Sequence, residues 1–296
     1  MGAMAAGSTQ TLLAIGGATG AVGGRIASRL AGLGHAQRMI VRDAARAPDL
    51  PGAEAAEGSY EDPEAMRRAL AGVRTFFMVS VGESPERVRI HTAAVDAAVE
   101  AGVERIVYSS FVGAAPDATF TFARDHWHTE EYIRSAGLDF AFLRGNVYMD
   151  VLPWIVGPDG TIRGPAGDGR FAAVARDDVA DAAVSVLLDG DHGGVTYDIS
   201  GPERLTLHRV AELLSRATGR DIAYHPETME EAYEARAGHG APDWQVEGWV
   251  TSLAGVAAGE MDVVSATVGD LTGHPPMALA EFLRRNPESY RHLLST

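Results

Sequence analysis

The chain has 296 residues, 46% of them hydrophobic and 22% charged, and a formal net charge of −15 at pH 7. These proportions are typical of a folded globular protein with a large core, and the acidic balance disfavours a general surface for nucleic acid or anionic membranes. Cysteine is absent, which excludes disulfides, thiolate nucleophiles and cysteine-bound metals.

The first ten residues lack the charged start and long apolar core of a secretory signal, so residues 1–10 are predicted to be a disordered leader or tag remnant. No apolar run approaches the roughly 20 residues that cross a bilayer. We therefore expect a cytoplasmic protein with no membrane partner and no nucleic-acid partner.

Short apolar runs alternate with helical patterns from Thr11 to about Arg144, and this alternation predicts an α/β fold with a doubly wound parallel Rossmann sheet. Asp62 and Ser84, each followed by proline, are predicted to cap helices. The strand candidates are Leu12–Ile15, Arg38–Val41, Phe76–Ser80, Ile106–Ser110 and Phe140–Arg144.

The second half is less regular. Gly157–Arg170 is rich in glycine and proline and predicts turns or a hairpin, and a helix is expected to begin near Asp177. The segment VTYDISG predicts a strand, Thr206 is the expected cap of an amphipathic helix, and the chain from Pro226 onward is predicted to be helical.

This pattern divides the chain into an NAD(P)-binding Rossmann domain over residues 11–150 and a smaller C-terminal α/β substrate lobe over residues 151–296. Whether strands or helices of the lobe return to the Rossmann sheet is left open.

Gly17, Gly20 and Gly23 form a G-x-x-G-x-x-G pattern between the first predicted strand and the first predicted helix. In dinucleotide-binding folds the early glycines permit a tight turn and a close approach of backbone N–H groups to the pyrophosphate, while the last lets helix and strand pack closely. The helix N-terminus then directs its partial positive charge at the anion.

Arg42 ends the second predicted strand, where an acidic residue favours NAD and an arginine accommodates the 2′-phosphate of NADP. Arg46 offers a second cation. A shift of one residue would instead make Asp43 the ribose acceptor, so both cofactors stay open, with NADP(H) favoured over NAD(H).

The order of several segments resembles the NmrA-like atypical short-chain dehydrogenases, in particular their NAD(P)H:quinone oxidoreductase branch. The similar segments are GATGAVG, VRDAAR, EGSYEDPEAMRRALAGV, HTEEYIRSAGLDFAFLRGNVYMD, RDDVADAA, YDISGPERLTLHRVAELLSRATGR and TGHPPMALAEFL. The resemblance implies an NADP-bound Rossmann domain, a smaller lobe, and an active site in the cleft between them.

The resemblance also assigns cofactor contacts by position. Ser59 stands where the family usually has aspartate, which alters the contact beside the adenine. The implied contacts are Gly17, Thr19, Gly20, Ala21 and Val22 at the pyrophosphate, Arg42 at the 2′-phosphate, Ser59 and Tyr60 at the adenine, Val79, Ser80 and Val81 at the nicotinamide ribose, and Gly145, Asn146 and Val147 near the carboxamide.

Short-chain dehydrogenases generally use a tyrosine, a lysine four residues later and a serine, and their positions here hold Phe122, His126 and Ser110. Phenylalanine cannot protonate an alkoxide. A quinone tolerates this loss, because its hydroquinone anion is delocalised and takes a proton from water or a histidine. The candidate catalytic residues are therefore His126, which orients the ribose or delivers the proton, Ser110, and Tyr148, which stacks on a flat substrate.

Three functions follow. The first is an NADPH-dependent oxidoreductase acting on a quinone or similar conjugated carbonyl, and the second is a non-catalytic NADP-binding redox sensor with a protein partner. The third is a reductase or isomerase of a biosynthetic pathway. The scattered histidines predict no metal site, and the oligomeric state, a homodimer included, is open.

Overall fold

The structure is a computed structural model that describes residues 13–238 and 240–294. The predicted leader, residues 1–10, and the first residue of the predicted strand Leu12–Ile15 lie outside this range. The strands are β1 (Leu13–Gly16), β2 (Gln37–Val41), β3 (Ala53–Glu57), β4 (Thr75–Met78), β5 (Arg105–Phe111), β6 (Asp139–Gly145), β7 (Thr161–Gly164), β8 (Val195–Ile199) and β9 (Ala223–Pro226).

The helices alternate with these strands through the first half and dominate the end of the chain. They are α1 (Ala21–Gly32), α2 (Pro63–Leu70), α3 (Arg87–Glu100), α4 (Thr121–Ser135), α5 (Arg176–Leu188), α6 (Leu207–Thr218), α7 (Met229–Ala237), α8 (Asp243–Ala257), α9 (Thr267–Thr272) and α10 (Leu279–Arg285). Short 3-10 segments cover Ala44–Arg46, Met149–Ile155 and Pro287–Leu293.

The main sheet is parallel throughout, with strand order β3-β2-β1-β4-β5-β6-β8 in the described chain. Its central strands are apolar without alternation, as in β1 and β4, whose residues are all buried, because helices cover both faces. Helices α1 and α5 pack on one face, and α2, α3 and α4 pack on the other. The predicted Rossmann fold is thus confirmed.

The second half of the chain contributes to two regions. Helix α5 and strand β8 belong to the main sheet and its covering layer, where β8 pairs with β6. Strands β7 and β9 form a small parallel sheet that packs with α6, α8 and α10 around a separate core. The predicted domain boundary at residue 150 stays a prediction. Part of the chain after this residue returns to the first sheet.

One strand was missed and one cap prediction was wrong. Ala53–Glu57 forms the edge strand β3, which the sequence analysis missed because its alanines and glutamates have low strand propensity. Gly157–Arg170 contains the predicted turns, with an antiparallel bridge between Val156 and Ile162, and its strand β7 also pairs in parallel with the distant β9. Helix α3 begins at Arg87 with Glu86 as its cap, so Ser84 caps nothing. The caps at Asp62 and Thr206 are confirmed.

Glu130 joins α4 to the sheet through a buried ion pair. Its side chain is 0% exposed and accepts hydrogen bonds from the Arg144 guanidinium at 2.8 and 2.6 Å, and from the Ser110 hydroxyl at 2.6 Å. The sequence predicts that Glu130 and Glu131 form a solvated helix face, which is wrong for Glu130. The pairing partner lies 14 residues away on β6, which helical spacing does not indicate.

Replacing Glu130 with glutamine is expected to destabilise the fold by about 3–5 kcal/mol, because it leaves the partly buried Arg144 charge without its partner. Urea unfolding followed by circular dichroism measures this change. The matched control is Glu131→Gln, whose carboxylate pairs with Arg134 at the surface, and there we expect less than about 0.5 kcal/mol. Equal small losses in the two variants would contradict a structural role for the buried pair.

Candidate functional site

A cavity of about 520 Å³ opens at the carboxyl ends of β1, β2, β3 and β4. Strand order reverses between β1 and β4, the position where open α/β sheets bind ligands. The cavity is lined by Gly17, Thr19, Gly20, Ile40, Val41, Arg42, Gly58, Ser59, Tyr60, Glu61, Val79, Ser80, Val81, Gly82, Glu83, Ser84 and Ile90. Nine of the sixteen predicted cofactor residues therefore line this one cavity.

The glycine loop has the geometry that a phosphate group requires. Gly17 has a φ of +61°, and its carbonyl accepts from the Gly20 amide at 2.8 Å, which closes the turn. A Cβ atom at Gly23 would lie 2.5 Å from the Gly17 carbonyl oxygen, so the contact between helix and strand requires glycine there. No side chain caps the N-terminus of α1, which leaves the amides that begin at Ala21 and Val22 available to an anion.

Arg42, rather than Asp43, faces the cavity. Within residues 13–238 and 240–294, no hydrogen bond or ion pair engages the Arg42 guanidinium. The Asp43 carboxylate instead accepts from the Ala45 amide at 3.0 Å and caps the following 3-10 turn. Arg46 is exposed and lies outside the cavity wall. The donor set at the end of β2 therefore fits a 2′-phosphate better than a free ribose hydroxyl.

The loop from β4 to α3 also lines the cavity. Val79, Ser80 and Val81 line the cavity as predicted, and the wall continues through Gly82, Glu83 and Ser84, which the sequence analysis did not include. Gly58 and Glu61, beside the predicted Ser59 and Tyr60, were also missed. The available signal was position, because these residues directly follow strands that end at the same edge of the sheet.

The residues after β6 do not line this cavity. Asn146 is buried, its amide nitrogen donates to the Met261 carbonyl at 3.0 Å, and its side-chain oxygen accepts from the Val147 amide at 2.8 Å. Gly145 lies against the ring of Tyr148. A contact between these residues and the carboxamide stays a prediction.

His126 is buried between two fixed partners. Its Nε2 lies 2.9 Å from Nη2 of Arg87, and Nε2 accepts because arginine only donates. The ring proton is then on Nδ1, 2.9 Å from the hydroxyl of Tyr108. Burial and the adjacent Arg87 charge hold the pKa of His126 well below its usual value. The histidine is thus neutral, and these contacts do not favour it as a proton donor.

Phe122, one turn before His126 on α4, packs in the separate core that contains β7 and β9. Its ring makes edge contacts with Phe120 and Trp244, and a Cβ atom at Gly248 would lie 2.7 Å from its Cζ atom. The position that holds tyrosine in ordinary short-chain dehydrogenases is therefore in direct contact with α8.

The other two candidate catalytic residues lie in different surroundings. The Ser110 hydroxyl donates to the buried Glu130. Tyr148 is half-buried, with the Arg176 guanidinium 4.7 Å from its ring centre, and burial raises the pKa of its hydroxyl. Neither residue lines the 520 Å³ cavity, so their catalytic roles stay predictions.

The described residues also bring together Asp178, Asp181 and His274, three potential metal ligands that the sequence analysis did not group. Asp178 accepts from the Met277 amide at 2.8 Å, and Asp181 pairs with Arg29. The carboxylates thus have protein partners, and the cluster lies apart from the cavity residues. No helix in the described ranges is long and apolar enough to span a bilayer.

Comparisons with known proteins agree with this geometry. Residues 9–239 match the model of the NmrA-like family. The chain is 30% identical to quinone oxidoreductase 2 of Escherichia coli, over 91% of this chain and 96% of that protein, and 29% identical to an NAD(P)H azoreductase of Xenophilus azovorans, over 94% and 99%. The crystal structure of the Escherichia coli NADPH-dependent quinone oxidoreductase with NADPH superposes with a TM-score of 0.83 at 29% identity, covering 92% of this chain and 99% of that one.

The buried neutral state of His126 predicts a pH dependence of stability. Below the unfolded pKa of about 6.5 the unfolded chain binds a proton that the native state excludes, so the free energy of unfolding falls as pH decreases. Between pH 7 and pH 5 this one residue accounts for a loss of about 2 kcal/mol. His126→Gln is expected to lose correspondingly less over the same range, measured by urea unfolding at each pH.

His128→Gln, at an exposed position on the same helix, is expected to keep the wild-type pH dependence. Identical slopes for wild type and His126→Gln would show that the native protein protonates His126.

Proposed function

Because the chain belongs to the NmrA-like family, we propose that it is an NADPH-dependent oxidoreductase that transfers hydride to a quinone or a similar conjugated carbonyl. The observation that carries the cofactor assignment is the Arg42 guanidinium, which has no hydrogen-bond or ion-pair partner among the described residues and lies in a cavity at the switch point of the sheet. The named activities of the quinone oxidoreductase and azoreductase relatives support the acceptor class.

Different residues of the cavity bind different parts of the cofactor. Gly17, Gly20 and the first amides of α1 hold the pyrophosphate, and Arg42 holds the 2′-phosphate as a charge-assisted pair. The loop beginning at Val79 positions the nicotinamide half. When bound, NADPH supplies the hydride that reduces the acceptor.

The side chains of α4 restrict which hydride acceptors the protein can reduce. Phe122 has no hydroxyl with which to protonate an alkoxide, and both nitrogens of His126 are engaged by buried partners. A hydroquinone anion needs no strong acid, so water completes its protonation. This arrangement favours quinones over isolated ketones. Tyr148, half-buried under Arg176, is the candidate we retain for contact with a flat substrate.

NADPH oxidation followed at 340 nm with a panel of simple quinones tests this function, with NADH and an aliphatic ketone as comparison reactants. We expect turnover with quinones, preference for NADPH, and no turnover with the ketone. Tight NADP binding without turnover on any acceptor would support the sensor alternative and direct the search to protein partners.

Arg42→Ala is expected to weaken NADPH binding about 10–100-fold, the effect of losing a charged hydrogen bond, and to leave NADH binding unchanged. Isothermal titration of both cofactors measures the two affinities. Arg46→Ala is expected to have a smaller effect, and Arg74→Ala, whose guanidinium pairs with Glu104 at the surface, to have none. Parallel losses for NADPH and NADH in Arg42→Ala would contradict the 2′-phosphate assignment.

The cytoplasmic location and a homodimer stay proposals.

A further inference from the structure

We propose that His91 is a positioning residue for the nicotinamide half of the cofactor, acting through the backbone amide of Val81. The inference rests on the cofactor site of the proposed function. His91 lies on α3, does not line the cavity, and belongs to none of the predicted site residues.

The contact that carries the proposal joins the cavity wall to the core. The Val81 amide donates to Nε2 of His91 at 3.0 Å. Val81 lines the cavity, whereas the His91 side chain is 0% exposed. The hydrogen bond therefore ties an irregular loop at the ligand surface to a rigid helix behind it.

The partners of His91 fix which ring nitrogen accepts. Nδ1 lies 2.9 Å from the hydroxyl oxygen of Thr129, and that hydroxyl donates its own proton to the Asp125 carbonyl at 2.8 Å. Thr129 must therefore accept from His91, which places the ring proton on Nδ1 and leaves Nε2 free to accept from Val81.

Burial maintains this acceptor state. Burial and the nearby Arg87 charge lower the pKa of His91 to about 3. Protonation of Nε2 would replace an acceptor with a donor that opposes the Val81 amide, and a neutral histidine avoids this at working pH. The hydroxyl of Tyr108, which also receives the His126 proton, lies 3.4 Å from Nδ1 of His91 and closes the same buried network.

Different segments line the cavity and are held by different contacts. The glycine turn and Arg42 line it after β1 and β2, and Val79–Val81 line it after β4. Under the proposed function, the first set binds the phosphates and the second contacts the nicotinamide half. Loosening Val81 should therefore affect a ligand that carries nicotinamide and spare one that lacks it. Adenosine 2′,5′-bisphosphate is such a fragment, since it keeps the 2′-phosphate and the adenine.

The test compares His91→Leu, which removes the acceptor, with His91→Gln, whose amide oxygen can accept from Val81. We expect His91→Leu to weaken NADPH binding about tenfold, the loss of one buried hydrogen bond, and to leave the affinity for adenosine 2′,5′-bisphosphate within about twofold. His91→Gln is expected to restore most of the NADPH affinity. Isothermal titration measures both ligands, and hydrogen exchange of the cofactor-free protein reports the protection of the Val81 amide.

Tyr132→Phe is the matched control, because it removes another hydrogen bond between α3 and α4, from the Tyr132 hydroxyl to Asp96 at 2.6 Å, away from the cavity. It is expected to change neither affinity. Equal losses for the two ligands in His91→Leu, or no rescue by His91→Gln, would reduce His91 to a core residue and overturn the proposal.

The outcome is separable from the proposed function. A wild-type protein that binds NADPH and reduces no quinone would refute the reductase and leave the His91 comparison intact, because that comparison is read on affinity. A wild-type protein that binds no NADPH would refute both. Unchanged Val81 exchange in His91→Leu would overturn the positioning role alone.

Discussion

The parallel pairing of β1 with β2 on one side and β4 on the other is the constraint on which the site depends. Chain connections leave β1 and β4 in opposite directions across the sheet, so a crevice opens at their carboxyl ends. The glycine turn, Arg42 and the loop beginning at Val79 all follow strands that end at this edge. The sheet thus assembles a ligand site from residues separated by more than 60 positions in the sequence.

Helix α4 shows how polar groups can be buried beside such a site. Glu130 is neutralised by Arg144, and Thr129 and His126 have their hydrogen-bonding atoms engaged by buried partners. Because these three groups are paired, the layer between α3, α4 and β5 is held by directional contacts as well as by packing. This network occupies the region where a tyrosine and lysine pair acts in ordinary short-chain dehydrogenases, with Phe122 and His126 at the two positions.

Sequence patterns predicted the fold correctly where the local pattern of a segment agrees with its packing in the folded chain. Apolar runs and the caps at Asp62 and Thr206 located most central elements, and the glycine spacing located the phosphate turn. They did not predict β3, an edge strand of alanine and glutamate with low strand propensity, or the parallel pairing of β7, whose partner lies some 60 residues onward. The buried contacts of Glu130 and His91 were missed as well. Burial against a different helix or strand leaves no periodic pattern in the helix that carries the residue.

The contact between Phe122 and α8 restricts what a substitution at position 122 can do. A Cβ atom at Gly248 would lie 2.7 Å from the Phe122 Cζ atom, from which a tyrosine hydroxyl would extend. A single change of Phe122 to tyrosine would therefore not recover an alcohol dehydrogenase. The new hydroxyl would need α8 to move and would also need a hydrogen-bond acceptor. The hydroxyl missing at position 122 and the packing of α8 are thus linked, because a tyrosine there would require α8 to shift.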